Sequence, residues 1–245
     1  MTEFLWFRAA LLICVFTVQF CCGLLVRHKG IRVNYTRKIV HFSLFFFPVF
    51  LRSVFPYQNS RLNFIISCAI AVGALAIYIR PIRENVSIIG TAFLSFDRPE
   101  DRPHTLWWLF TQVLAGYLIF IPAIVLFVQN GLEGLIWIPL LIICFGDGLA
   151  EPVGVRFGRH TYQTHAFFPK KTYTRSLEGS ACVFLASLAV VVVFQSSFNQ
   201  MQFIIALMVM PILMTLVEAF SPHTWDTPTL LLAGYCALYG IARIA

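Results

Sequence analysis

The chain has 245 residues, 59% of them apolar and only 12% charged, with a mean hydropathy of +0.79. A water-soluble domain carries roughly 25% charged residues, so this composition excludes an ordinary soluble fold and describes an integral membrane protein. The net charge of +7 would point to nucleic acid in a soluble chain; in a membrane chain the placement of the bases carries the information, and nucleic acid is not expected as a partner.

A helix needs about 20 apolar residues to cross a bilayer core. Eight stretches approach that length: Phe4–Val26, Ile39–Phe55, Leu62–Ile79, Leu106–Val128, Leu132–Phe145, Leu177–Phe194, Phe203–Phe220 and Thr229–Ile244. The expectation is an all-α, polytopic membrane protein of about eight transmembrane helices, forming a single transmembrane catalytic domain over residues 1–245. The first stretch lacks a small-residue cleavage site and reads as a retained span, which could sit peripheral to the catalytic core. The fifth is short. Its fourteen residues cover only about 21 Å of a core about 30 Å thick. Either the helix continues through GDGLAE, or Asp147 lies below the headgroups; both place a carboxylate at membrane depth. The seven cysteines all fall in apolar runs, without a CxxC or a Cys/His cluster, and read as small core residues.

The connections alternate in charge. Those after spans one, three and five hold fourteen of the eighteen bases and, with the turn after span seven, nine of the eleven acids. The positive-inside rule makes that side cytoplasmic and places both termini outside. A multi-pass protein with one cytoplasmic active face follows; which membrane holds it does not.

Four stretches on that face carry possible chemistry. In NYTRKIVH, Arg37 and Lys38 precede His41 by four and three residues, so a helix would gather them into one basic ridge. A positive-inside anchor beside a hydrogen-bonded histidine gives the same pattern. From Arg80 to His104 a charged segment encloses VSIIGTAFLSF, too short to span and suited to an interfacial or re-entrant piece. The central stretch runs from Phe145 to Ser180. Asp147 and Glu151 lie four residues apart, one face of a helix; Lys170, Lys171 and Arg175 follow, then Glu178. Carboxylates that can hold Mg²⁺ beside cations that can hold phosphates are the parts of phosphoryl or nucleotidyl transfer. Gly146, Gly148, Gly154 and Gly158 permit close backbone approach to a phosphate, or close helix contact, and match neither GxGxxG nor GxxxxGK[ST]. Last, Glu218 ends span seven and Asp226 opens span eight across a proline-containing turn.

These stretches resemble the CTP-dependent lipid kinases, the group of dolichol, phytol, farnesol and diacylglycerol kinases, and more distantly phosphatidate cytidylyltransferase. The matching residues are RKIVH (Arg37 to His41), GDGLAEPVGVRFG (Gly146 to Gly158), KKTYTRSLEGS (Lys170 to Ser180) and Glu218 with DTPTL (Asp226 to Leu230). The resemblance implies a helical membrane enzyme that uses CTP as phosphoryl donor and Mg²⁺ or another divalent cation. It would place metal at Asp147 and Glu178, with Glu218 and Asp226 as further candidate metal carboxylates. Nucleotide or phosphate would meet Arg37, Lys38, His41, Gly146, Gly148, Gly154, Lys170, Lys171, Arg175 and Gly179, with Asp147, Glu151 and Lys171 nearest the chemistry. Three departures stand out. The family usually has Asp-Asn where this chain has Asp226-Thr227; an LTGAT-like sequence is replaced by HTLWWLF; and SPHTWDTP lacks the basic residues of the cytidylyltransferase signature.

The leading reading is a kinase moving the γ-phosphate of CTP to a lipid alcohol, an isoprenoid alcohol or diacylglycerol. Its partners would be the lipid bilayer, that substrate and the nucleotide, with a homodimer compatible. The second reading is cytidylyl transfer to a phospholipid phosphate. The third, a transporter or scaffold, would place charge near the midplane and show internal repeats; here the charges collect at one end and no repeat is visible.

Overall fold

A computed structural model of the chain, describing residues 2–58, 60–165 and 172–244, makes helices of all eight apolar stretches. Among the described residues five helices have both the length and the apolarity to cross a membrane: Thr2–Lys29, Arg61–Tyr78, Thr105–Gln129, Glu133–Phe157 and Gln200–Phe220. The other three fall short for physical reasons. Val33–Val54 is long enough, but Arg37, Lys38 and His41 make its first half too polar. Leu177–Val193 and Asp226–Ala242 have 17 residues each, about 26 Å of helix against a core of about 30 Å. The eight expected spans are therefore eight helices, of which five meet the requirements of a span.

The chain forms two compact units, Met1–Phe110 and Thr111–Ala245. In the first, α1 (Thr2–Lys29) packs against α2 (Val33–Val54), followed by α3 (Arg61–Ala74), which a 3₁₀ turn extends to Tyr78. Two short helices come next, α4 (Arg80–Asn85) and α5 (Ser87–Phe93), and α5 lies directly on α1. Gly23 permits that approach, because a Cβ there would overlap the Thr91 carbonyl. The apolar piece VSIIGTAFLSF is thus drawn into the unit: Ala92, Phe93 and Phe96 form a core with Tyr78, against Phe16 and Phe20 of α1. Tyr78 donates its hydroxyl proton to Gln19 Oε1 at 2.6 Å, the partner a phenol needs in apolar surroundings. Beyond α5 the chain is knitted by charge, Arg102 to Asp97 and Arg98 to Asp101, both at 2.7 Å.

In the second unit α6 (Thr105–Gln129), which begins in the first, runs along the last helix, where Phe120 and Phe127 meet Tyr235. A continuous helical stretch follows: a 3₁₀ turn, α7 (Trp137–Ile142), a π-helical turn over Ile143–Asp147, and α8 (Gly148–Phe157). The departure from an all-α chain comes next. Strands β1 (Thr161–His165) and β2 (Thr172–Ser176) form an antiparallel hairpin leading into α9 (Leu177–Val193). Ser176 caps α9, its hydroxyl accepting from the Gly179 N–H at 3.1 Å. Helix α10 (Gln200–Phe220) starts with a reciprocal box between Asn199 and Gln202, and α11 (Asp226–Ala242) closes the chain. Helix α9 is the centre of the unit, packed on α7, α8, α10 and the π turn, with Val183, Ser187 and Val191 sealed from solvent.

Candidate active site

The helix through Asp147 does not stop at Phe145. It continues through GDGLAE to Phe157, which settles the alternatives left by the short apolar run. Counted from Glu133 at about 1.5 Å per residue, Asp147 lies about 21 Å along this helix. Its side chain ends a π turn, a local widening common at functional sites, and the residue is 8% exposed. Glu151 follows one turn later in α8, half-buried. The glycines around them serve helix contact. A Cβ on Gly146 would lie 3.0 Å from the Val183 Cα, one on Gly154 3.0 Å from Ser176 Oγ, and one on Gly179 2.7 Å from the Ala150 carbonyl. Gly148 is buried beside them.

The hairpin supplies the polar side of the site. Its register pairs Tyr162 with Arg175 and Thr164 with Tyr173, so the two-residue period puts these four on one face. The opposite face, Thr161, Gln163, His165, Thr172 and Thr174, is exposed. The inner face docks on the turn between α10 and α11. Thr164 Oγ1 donates to the Ser221 carbonyl at 3.1 Å, and the His223 N–H donates to the His165 carbonyl at 2.9 Å. The Tyr173 and His223 rings stack with centroids 3.4 Å apart and planes 7° from parallel.

Arg175 joins the two pieces. Its Nη1 donates to the Glu218 carbonyl and to Glu218 Oε1, the latter at 2.6 Å, and its Nη2 to the Ser221 carbonyl at 3.2 Å and to Asp226 Oδ1. Burial opposes its charge, but the Asp226 and Glu218 carboxylates outweigh that and raise its proton affinity above the ordinary arginine value. Ser180 Oγ donates to Glu218 Oε2 at 2.9 Å. Ser180 has one proton and has given it away, so the 2.7 Å bond between Tyr162 and Ser180 is donated by the tyrosine. An oriented chain runs Tyr162, Ser180, Glu218. Asp147 lies within electrostatic range of Glu218. In the same turn Thr224 has φ 69°, a left-handed conformation rare for a β-branched residue, and its buried hydroxyl has no partner.

Glu178 opens α9 and turns back to the base of the hairpin, where Oε1 meets His160 Nδ1 at 2.9 Å and accepts from the His160 N–H at 3.2 Å. Three of the four carboxylates expected to hold metal are therefore engaged within the protein: Glu178 with His160, Glu218 and Asp226 with Arg175. Among the described residues no three His, Cys, Asp or Glu side chains gather as a metal site. Mg²⁺ commonly takes only one or two carboxylates and completes its shell with phosphates and water, a demand that the buried Asp147 can meet. Lys170 and Lys171 lie outside the described residues. Arg37, Lys38 and His41 belong to α2 in the first unit, where Lys38 is buried and the His41 ring lies 5.1 Å from Phe45. Sequence reasoning passed over His160, Tyr162, Ser180 and Ser221. The signal for the hairpin was present in TYQT and TYTR, two short runs rich in the threonine and tyrosine that favour strands.

No family model matches the chain, and no solved structure matches it. A stretch of 70 residues is 43% identical to the phytol kinase of Synechocystis sp.. That stretch is 29% of this chain and 28% of the relative, so the two are similar over little more than a quarter of either. The protein is a mainly helical membrane protein with a buried carboxylate, a docked hairpin and a partial likeness to a lipid kinase.

Proposed function

We propose that the protein is a lipid-alcohol kinase that transfers the γ-phosphate of CTP to an isoprenoid alcohol or to diacylglycerol at the cytoplasmic face of its membrane. The observation that carries this reading is the 70-residue stretch 43% identical to phytol kinase. The position of Asp147 supports it: a carboxylate buried partway along an apolar helix suits a substrate whose tail is apolar and whose reacting end is a hydroxyl. In this reading the alcohol enters between helices and its oxygen stops beside Asp147. Asp147 or Glu151 takes the hydroxyl proton as the oxygen attacks the γ-phosphorus in line. The bond from that phosphorus to the β–γ bridging oxygen breaks, and CDP leaves with the electron pair. A divalent cation held by Asp147 and the nucleotide phosphates would neutralise the charge that develops there. Lys170 and Lys171, from the resemblance, hold the phosphates. The preference for CTP also comes from the resemblance. The absence of Lys and Arg from SPHTWDTP favours γ-phosphoryl over cytidylyl transfer.

The test uses purified protein, Mg²⁺ and CTP labelled at the γ- or the α-phosphate, with phytol, farnesol, a long polyprenol, diacylglycerol or phosphatidate. Label from the γ position on an alcohol, with release of CDP, is the expected result. Label from the α position on phosphatidate, with release of pyrophosphate, would replace the kinase by a cytidylyltransferase, and no transfer to any lipid would refute both.

A further inference from the structure

Arg175 stands in the sequence as a phosphate ligand, four residues after a lysine pair. Its surroundings describe another role. A guanidinium has five N–H donors, and the two terminal nitrogens of Arg175 make four hydrogen bonds within the protein, two each. The acceptors are themselves held. Glu218 uses its second oxygen on Ser180, which in turn receives Tyr162 of β1. Thr164 and His165 of the same strand tie the backbone at Ser221 and His223. Strand and turn share one polar interface with Arg175 near its middle, its side chain 13% exposed. A phosphate would meet Nε alone unless the fork released two carboxylates.

We propose that Arg175 is a positioning residue: it clasps the β1–β2 hairpin to the turn between α10 and α11, and so sets the geometry in which phosphoryl transfer occurs. Glu218 and Asp226 are its counter-ions and not metal ligands. The kinetic consequence rests on the kinase reading above; the geometry of the clasp does not. The task suits arginine, whose planar fork serves two carboxylates and two carbonyls at once, and not lysine, whose three donors radiate from one atom.

The experiment has two arms. The first measures thermal midpoints, without substrates, for the wild type, Arg175→Gln, Asp226→Asn and the double variant. A clasp makes the two positions strongly coupled, so the double variant melts no lower than Arg175→Gln alone. Losses that simply add would overturn the proposal. The second arm measures transfer from CTP well below the lowest midpoint. Arg175→Gln, Arg175→Lys and Asp226→Asn should each lower kcat on the order of tenfold or more, with KM for CTP held to within about twofold. An unchanged kcat would reduce the clasp to a structural tie and overturn the positioning role. A large rise in KM at constant kcat would make Arg175 a phosphate ligand after all. Should Arg175→Gln not yield folded protein, the near-isosteric Asp226→Asn carries the kinetic arm, and unchanged constants there would be equally fatal. If the wild type phosphorylates no lipid alcohol, the kinase reading fails while the first arm still decides the clasp.

Discussion

Replacing Glu218 probes the polar interface directly, because both oxygens of its carboxylate are in use. Oε1 receives Arg175 at 2.6 Å and Oε2 receives Ser180 at 2.9 Å, on a residue only 6% exposed. Glu218→Ala leaves a buried guanidinium N–H and a buried hydroxyl without acceptors. Removing one partner of a buried ion pair costs about 3–5 kcal/mol. At about 2–4 °C per kcal/mol for a chain of this size, the midpoint falls by roughly 6–20 °C. Glu218→Gln behaves differently. Its carbonyl oxygen keeps Arg175, its NH₂ group turns to Ser180, and Ser180 then donates to Tyr162, reversing the chain. Asp226 still balances the guanidinium, so the loss should be about 1–2 kcal/mol. The reversal has a signature. Tyr162→Phe alone removes one donated bond, about 1 kcal/mol, but in the Glu218→Gln background it also leaves the Ser180 proton without an acceptor. The pair should therefore lose more than the sum of its parts. The assay is thermal unfolding of detergent-solubilised protein followed by tryptophan fluorescence. A Glu218→Ala midpoint within a few degrees of wild type, or a Glu218→Gln as damaged as the alanine variant, would refute the reasoning.

Asp147→Asn should reduce lipid phosphorylation by on the order of 100-fold or more while the protein stays folded and membrane-inserted, since losing a metal-holding carboxylate removes several kcal/mol of charge stabilisation; near-wild-type turnover would remove Asp147 from the site. Thr224→Gly should raise the thermal midpoint by a few degrees. It relieves a left-handed conformation worth about 1–2 kcal/mol and deletes a partnerless buried hydroxyl, and a lower midpoint would contradict the strain at φ 69°. Single cysteines at the exposed Gln163 and Ser197 should label from opposite sides of the membrane, Gln163 from the cytoplasm. Labelling of both from one side would break the proposed topology.

The helices were legible because an apolar run in a chain this poor in charge has few other places to go. Their membrane competence was less so: α9 and α11 each have only 17 residues, short of the about 20 that a crossing needs. The hairpin escaped notice because its buried face is Tyr162, Thr164, Tyr173 and Arg175, polar enough that hydropathy shows no alternation with the exposed threonines. The site was half visible. Asp147 stands out as a lone carboxylate after eleven apolar residues. The engagement of Arg175 with Glu218, 43 residues away, has no local trace, so a cation and an anion that hold each other read from sequence as ligands for something else. The glycines had two equal readings in the sequence, and packing distances that only the fold supplies reveal the contact with α9.

The π turn before α8 has a consequence for phase. Ile138, Ile142, Gly146, Ala150 and Gly154 recur every four residues, and the structure buries or half-buries all five. A step of four in an α-helix overshoots a full turn by about 40°, so four such steps would carry the stripe about 160° round the cylinder, from the packed side to the lipid. The wide turn at Ile143–Asp147 absorbs one residue, about 100° of that drift. It thereby keeps large side chains before it and small ones after it on one seam. Forcing the same residues into a strict α phase would split that seam and carry Asp147 away from α9 without altering a single charge, whereas deleting one residue inside the turn would close it into an α-helix with both halves still on the seam.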